Sequence, residues 1–125
     1  MTLPLHEHLH CVSTQLLVTD LSRSIQFYTG ELGFELNFQH EDFYAGIEAG
    51  PYSIHLKLGD SVAPLPADSD HVNLVIGVTN LDACYNTIQS GSAEVIEPLR
   101  EMPYGREFYI QDPDGYRIAF FDVTS

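Results

Sequence analysis

The sequence is short of positive charge. Five Lys and Arg stand against eighteen Asp and Glu in 125 residues, a formal net charge of −13. Such a balance repels phosphate backbones and anionic headgroups, which argues against binding nucleic acid or a membrane surface. Tryptophan is absent, and no apolar run approaches the roughly 20 residues needed to span a bilayer. The two cysteines, Cys11 and Cys84, lie too far apart for a metal-finger spacing. Residues 1–10 show no basic flank followed by an apolar stretch, so no secretory signal is read there. The expectation is a cytoplasmic protein with reduced thiols. The sequence carries no phosphate loop, no dinucleotide fingerprint and no nucleophile elbow around Ser13. Its length fits one domain. The acids are spread along the chain rather than blocked, which reads as a solvated acidic surface and would favour a cationic ligand if they line a groove.

What the sequence does contain is a repeat. In the first half an apolar run at 15–18 leads to Asp20, a helix N-cap, and then to Leu21, Ile25, Tyr28 and Leu32 at helical spacing, with Gly33 as the stop. Strands are expected at 34–39, 43–48 and 52–58, with turns at Glu41-Asp42 and Gly50-Pro51. The second half repeats this order. An apolar strand at 72–78 precedes the cap Asn80, the stripe Leu81, Cys84, Tyr85 and Ile88, and the stop Gly91. Strands follow near 94–98, 107–111 and 116–122, the last two joined by the turn Asp112-Pro113-Asp114-Gly115. Val18-Thr19-Asp20-Leu21 aligns with Val78-Thr79-Asn80-Leu81, and the stretch from Pro51 to Leu56 aligns with that from Gly115 to Phe120. The expected fold class is α+β: two βαβββ modules in one domain, at about 12–60 and 71–123, with residues 61–70 as a Pro-containing linker.

Two stretches, LVTDLSRSIQFYTGELGF (17–34) and YGREFYIQDPDGYRIAF (104–120), give this chain a resemblance to the vicinal-oxygen-chelate superfamily, the glyoxalase and bleomycin-resistance group. The resemblance covers nearly the whole chain and implies that each module forms a half-open curled sheet, with paired sheets enclosing a ligand cavity. It does not imply one function, because this fold hosts lyases, dioxygenases, thiol transferases and drug-binding proteins.

Metal-using members of that superfamily hold a divalent ion with His and Glu from the first and last strands of each module. Carried onto this sequence, those positions fall on Ser13, His55, Asn73 and Ala119. Only His55 is a competent ligand; Ser and Asn are weak neutral oxygen donors, and a single imidazole does not hold a transition metal with useful affinity. A register slip would substitute His71, two residues before Asn73 and on the same strand face. His6, His8 and His10 alternate in the N-terminal stretch, and His40 lies in an expected hairpin turn; none is read as a functional ligand.

The expectation is therefore no bound metal and no cofactor, with a neutral recess built from Ser13, His55, Asn73 and Ala119. Tyr104 stands where the family often places a rim aromatic, and Arg106 or Glu107 would meet a charged group there, depending on which face of that strand points inward. Two classes of function stay open. One is a metal-free binding protein that sequesters a small aromatic or cationic compound. The other is an enzyme of the lyase or dioxygenase type with unusual ligands, or one using His55 as a general base, a task suited to an imidazole. The resemblance also implies a homodimer.

Overall fold

The computed structural model describes residues 4–60 and 71–123; the linker expected at 61–70 lies outside them. The first module comprises β1 (Ser13–Val18), α1 (Leu21–Gln26), β2 (Glu35–His40), β3 (Tyr44–Ala49) and β4 (Tyr52–Leu58). The second comprises β5 (Leu74–Val78), α2 (Leu81–Ser90), β6 (Glu94–Met102), β7 (Gly105–Gln111) and β8 (Arg117–Asp122). The strands form two four-stranded sheets in the same order, β1-β4-β3-β2 and β5-β8-β7-β6. In each, the first strand runs parallel to the last and the remaining pairs are antiparallel. The α+β, two-module reading of the sequence is therefore the architecture observed, and the sheets are not closed into a barrel.

Each helix starts on the cap read from sequence. The Asp20 carboxylate accepts from Arg23 N at 3.0 Å, and Asn80 Oδ1 accepts from Ala83 N at 3.2 Å. The helix expected through Leu32 is α-helical only to Gln26; residues Phe27–Glu31 form a wider π turn. Leu32 N reaches back to the Phe27 carbonyl at 3.2 Å, and the Thr29 hydroxyl donates to the Ile25 carbonyl at 2.7 Å. Gly33 ends this segment at φ 72, as a left-handed stop should. Gly91 does not: its φ of −95 and ψ of −159 are extended. It is small for another reason, since a Cβ there would fall 2.2 Å from Glu31 Oε2, and Glu31 accepts from Ser92 N at 3.0 Å.

Strand limits differ from expectation at several ends, and three in the second module are informative. β6 runs past Pro98 to Met102, because register shifts between Val95 and Arg100 absorb the missing proline N–H. β7 starts two residues earlier than expected, at Gly105. β5 starts at Leu74, since Asn73 turns its side chain onto Arg117 N at 2.9 Å.

One apolar core unites the modules. Leu16, Val18, Leu56 and Ile47 point beneath α1, while Phe108, Ile110, Ile118 and Phe120 lie beneath α2, where Phe108 and Phe120 stack at 4.9 Å. The modules are also clasped by the turn from Asp112 to Gly115. Buried Tyr28 donates to Asp112 Oδ2 at 2.8 Å. The Asp114 carboxylate accepts from the Thr19 hydroxyl at 2.6 Å, from Thr19 N at 3.1 Å and from the Ser24 hydroxyl at 3.3 Å. Burial and the Asp112 charge raise the Tyr28 phenol pKa strongly, and burial raises that of Asp112 as well.

Candidate functional site

The strand register decides which side chains share the open face of each sheet, the face away from its helix. In β1 the buried residues are Leu16 and Val18, so Ser13 and Gln15 point to the open side. In β4 the buried Ile54 and Leu56 leave Ser53 and His55 on that side, and in β3 it is Tyr44 and Gly46. Pairing sets Ser13 beside Ser53 and Gln15 beside His55, with Gly46 on the other flank of His55. Ser13 and Ser53 share a hydroxyl–hydroxyl hydrogen bond.

His55 is the centre of this face. Its Nδ1 lies 2.8 Å from the Tyr44 hydroxyl, which donates to Gln15 Oε1 at 3.0 Å. Phe38, from β2, meets the imidazole edge-on with centroids 5.5 Å apart. Gly46 makes this approach feasible, because a Cβ there would fall 2.2 Å from the Phe38 ring. His40 and Phe43 extend the aromatic surface outward. The sequence named Ser13 and His55, which the fold brings to one face, but not Gln15, Phe38, Tyr44 or Gly46 beside them. The alternation of 44, 46 and 48 against 53, 55 and 57 was the available signal, and it required the β3–β4 register.

The corresponding face of the second sheet is different. Asn73 is exposed and committed to Arg117, and Ala119 lies beside Val75 with only its methyl to offer. His71 and Asn73 both precede β5, whose pairing with β8 begins at Leu74. Glu107 shares this face, pairing in register with Phe121, whereas Arg106 points to the opposite face and binds Asp82 of α2 and Asp122. Glu107 is buried and accepts from Arg100 Nη2 at 2.7 Å, from Arg100 Nε at 3.0 Å and from the Tyr104 hydroxyl at 2.6 Å. Burial raises the Glu107 pKa, but the Tyr104 and Arg100 hydrogen bonds outweigh it and hold the carboxyl below its usual range. Bonded to that carboxylate, the Tyr104 phenol is pushed up to about 12. Arg100 also spans Tyr109, at 5.3 Å from the ring centroid, and Glu97, at 3.3 Å.

The five candidate residues thus divide into two groups. Ser13 and His55 share the first sheet's open face, while Asn73, Ala119 and Tyr104 belong to the second module. Neither His55 nor Tyr104 lines the recesses of about 520, 710 and 600 Å³, although Ser53 and Val75 border the third. Cys84 lines the first of these; burial pushes its thiol pKa up, as suits an unreactive side chain.

Comparison with known proteins agrees with this architecture. The profile of the Glyoxalase/Bleomycin resistance protein/Dioxygenase superfamily matches residues 9–120. The chain belongs to this superfamily. It is 34% identical to the uncharacterized protein YwbC of Bacillus subtilis over 118 residues, covering 86% of this chain and 93% of that one. It is 26% identical to a lactoylglutathione lyase of Haemophilus influenzae, with 90% and 91% covered. In fold it is similar to the bleomycin-binding protein of Streptomyces verticillus, solved with copper(II)-bleomycin, at a TM-score of 0.72 and 22% identity, covering 93% of this chain and 98% of that one.

The superfamily's divalent ion does not fit the residues present. Its four ligand positions supply one hydroxyl, one imidazole, one amide already bonded to Arg117 N, and one methyl. Among the described residues no group of three His, Cys, Asp or Glu is placed to hold a metal. The nearby Glu107 carboxylate is already occupied by Arg100 and Tyr104.

Proposed function

We propose that this superfamily member is a metal-free cytoplasmic binding protein that sequesters a small aromatic or cationic compound. The carrying observation is the composition of the face around His55. An imidazole, a phenol, a phenyl ring and neutral oxygens gather around His55, and of the four carried-over ligand positions only His55 keeps a competent ligand. Aromatic edges and a few fixed polar groups are what recognition of a planar organic molecule requires. The net charge of −13 favours cationic ligands, and Glu107, Tyr104 and Ala119 with Asn73 offer a second wall. In the proposal the two walls meet across a homodimer, the first sheet of one copy facing the second sheet of the other.

Lyase chemistry is the second reading, supported by full-length similarity to the Haemophilus influenzae lactoylglutathione lyase. It requires either unusual metal ligands or His55 as a base. Metal content separates the two. The purified protein is expected to hold less than about one ion per chain, and a chelator is expected to leave its melting temperature unchanged, since no folded-state ligand is removed. Zn²⁺, Ni²⁺ or Fe²⁺ bound tightly at His55 would overturn the binding reading; metal on the exposed His6, His8 and His10 would not bear on it. A thermal-shift screen of planar cationic compounds, with copper-free and copper-loaded bleomycin included, then seeks the ligand.

A further inference from the structure

We infer that Tyr44 and Gln15 set the tautomer of His55, so that the ring presents an unprotonated Nε2 to the open face and selects ligands that donate a hydrogen bond there. The inference deepens the binding function proposed above and rests on it for the ligand's class alone.

The available protons fix the tautomer. A phenol has one hydrogen to give, and a glutamine Oε1 can only accept. The Tyr44 hydroxyl donates to Gln15 Oε1 at 3.0 Å, so its proton is spent there. The same oxygen lies 2.8 Å from His55 Nδ1, and two lone pairs at that distance would repel. With Gln15 turning Oε1 rather than its NH₂ toward Tyr44, Nδ1 carries the hydrogen and donates to the tyrosine oxygen. A neutral imidazole has only one N–H, which leaves Nε2 as a bare acceptor. His55, Tyr44 and Gln15 form one directed chain of hydrogen bonds across β4, β3 and β1.

The ring is also held in place. Tyr44 and Phe38 both meet it nearly edge-on, at interplanar angles of 78° and 86° and centroid distances of 5.5 Å. Among the described residues its hydrogen bond is the one through Nδ1. The remaining nitrogen thus acts on whatever enters the face, and a ligand presenting an ammonium, amidinium, phenolic O–H or aromatic N–H satisfies it. A ligand presenting only acceptors sets lone pair against lone pair. Tyr44 and Gln15 are positioning residues in this scheme, acting through His55.

The test reads the ring nitrogens directly, by two-dimensional ¹H–¹⁵N NMR of the labelled full chain at about pH 8, above the ordinary imidazole range. His55→Gln assigns the resonances. The expected pattern is a protonated Nδ1 and an unprotonated Nε2 in the free protein. Tyr44→Phe should abolish that bias while the melting temperature reports that the chain is folded. Gln15→Leu should weaken it, and Gln15→Glu should retain it, because a carboxylate still accepts the phenol proton. A second arm compares phenol with anisole, neutral and similar in shape but differing in the donor. Phenol should move the Nε2 resonance, anisole should not, and Tyr44→Phe should weaken phenol binding by about 2- to 12-fold, the equivalent of one neutral hydrogen bond. A protonated Nε2 in the free chain, or a tautomer indifferent to Tyr44→Phe, would overturn the assignment, as would a preference for anisole. The free-chain spectrum stands apart from the binding function: failure of all cationic aromatics to bind would sink that function and leave the tautomer result intact.

Discussion

His55 is half-buried, yet its packing partners are other residues of an open face rather than the core. Removing it should therefore cost ligand more than fold. His55→Ala is expected to weaken a true ligand by about 0.5–1.5 kcal/mol for a neutral hydrogen bond, or about 1.5–3 kcal/mol if either partner is charged. Calorimetric titration against the parent measures the loss, and urea unfolding should show little change. A large fall in stability with affinity intact would mean that the ring serves the core. If His55 were a base instead, turnover would vanish while affinity held. Glu107 makes a prediction of the opposite kind, about stability and pH. Its folded-state pKa is depressed, so its contribution is full above the unfolded carboxyl range near 4.3 and is lost as pH falls through the folded value. Glu107→Gln should flatten that share of the acid loss, read by urea unfolding at a series of pH values; parallel acid limbs in parent and variant would contradict it. The resemblance to the superfamily pointed to His55, which falls at the family's ligand position on the last strand of the first module. The sequence hid Tyr44, Phe38 and Gln15 because their meeting depends on which strands pair and at what register, neither of which is local.

At the level of elements, most of what formed is what local chemistry demanded. The caps Asp20 and Asn80, the stop at Gly33 and the tight turn before β8 were readable because each acts within a few residues of itself. The π turn was not, since an apolar period of three to four residues reads the same through an α turn and a single wider one. The turn from Asp112 to Gly115 was visible as a turn, but nothing local says that it clasps a helix some ninety residues away. That clasp is testable. The Asp114 side chain is only 2% exposed and accepts from Thr19 and Ser24, with Arg23 at 3.3 Å. Asp114→Ala strands these donors at a module interface and is expected to cost about 1–3 kcal/mol of unfolding free energy. The simple cap change Asp20→Ala should cost about 1 kcal/mol. If Asp114→Ala left the unfolding free energy unchanged in urea denaturation, the turn would be a local feature and not a clasp between modules.

For the whole molecule, the internal repeat was the most informative property of the sequence, because a repeated βαβββ order leaves few ways to arrange two sheets. The mode of assembly was not legible, since it depends on which edges stay open. The sheet order leaves β1, β2, β5 and β6 as outer strands, and around β1 and β5 Val12, Tyr52 and Val75 are 74%, 72% and 63% exposed beside a groove of about 600 Å³. Unpaired edges flanked by apolar side chains are seldom left bare. A second copy of the chain is the occupant that the proposed paired walls require. Charge opposes it: each copy carries a formal −13, so two copies repel at a distance while the apolar strip attracts at contact. Salt screens the first effect and spares the second, the Debye length shrinking from about 10 Å at 0.1 M to about 3 Å at 1 M. The homodimer should therefore tighten as sodium chloride is raised, the reverse of an interface held by ion pairs. Sedimentation equilibrium at micromolar concentration measures this, with Val75→Asp expected to shift the chain toward monomer at every salt level. A parent that stays monomeric throughout, or a dimer that salt dissociates, would show that the two walls do not meet across this face.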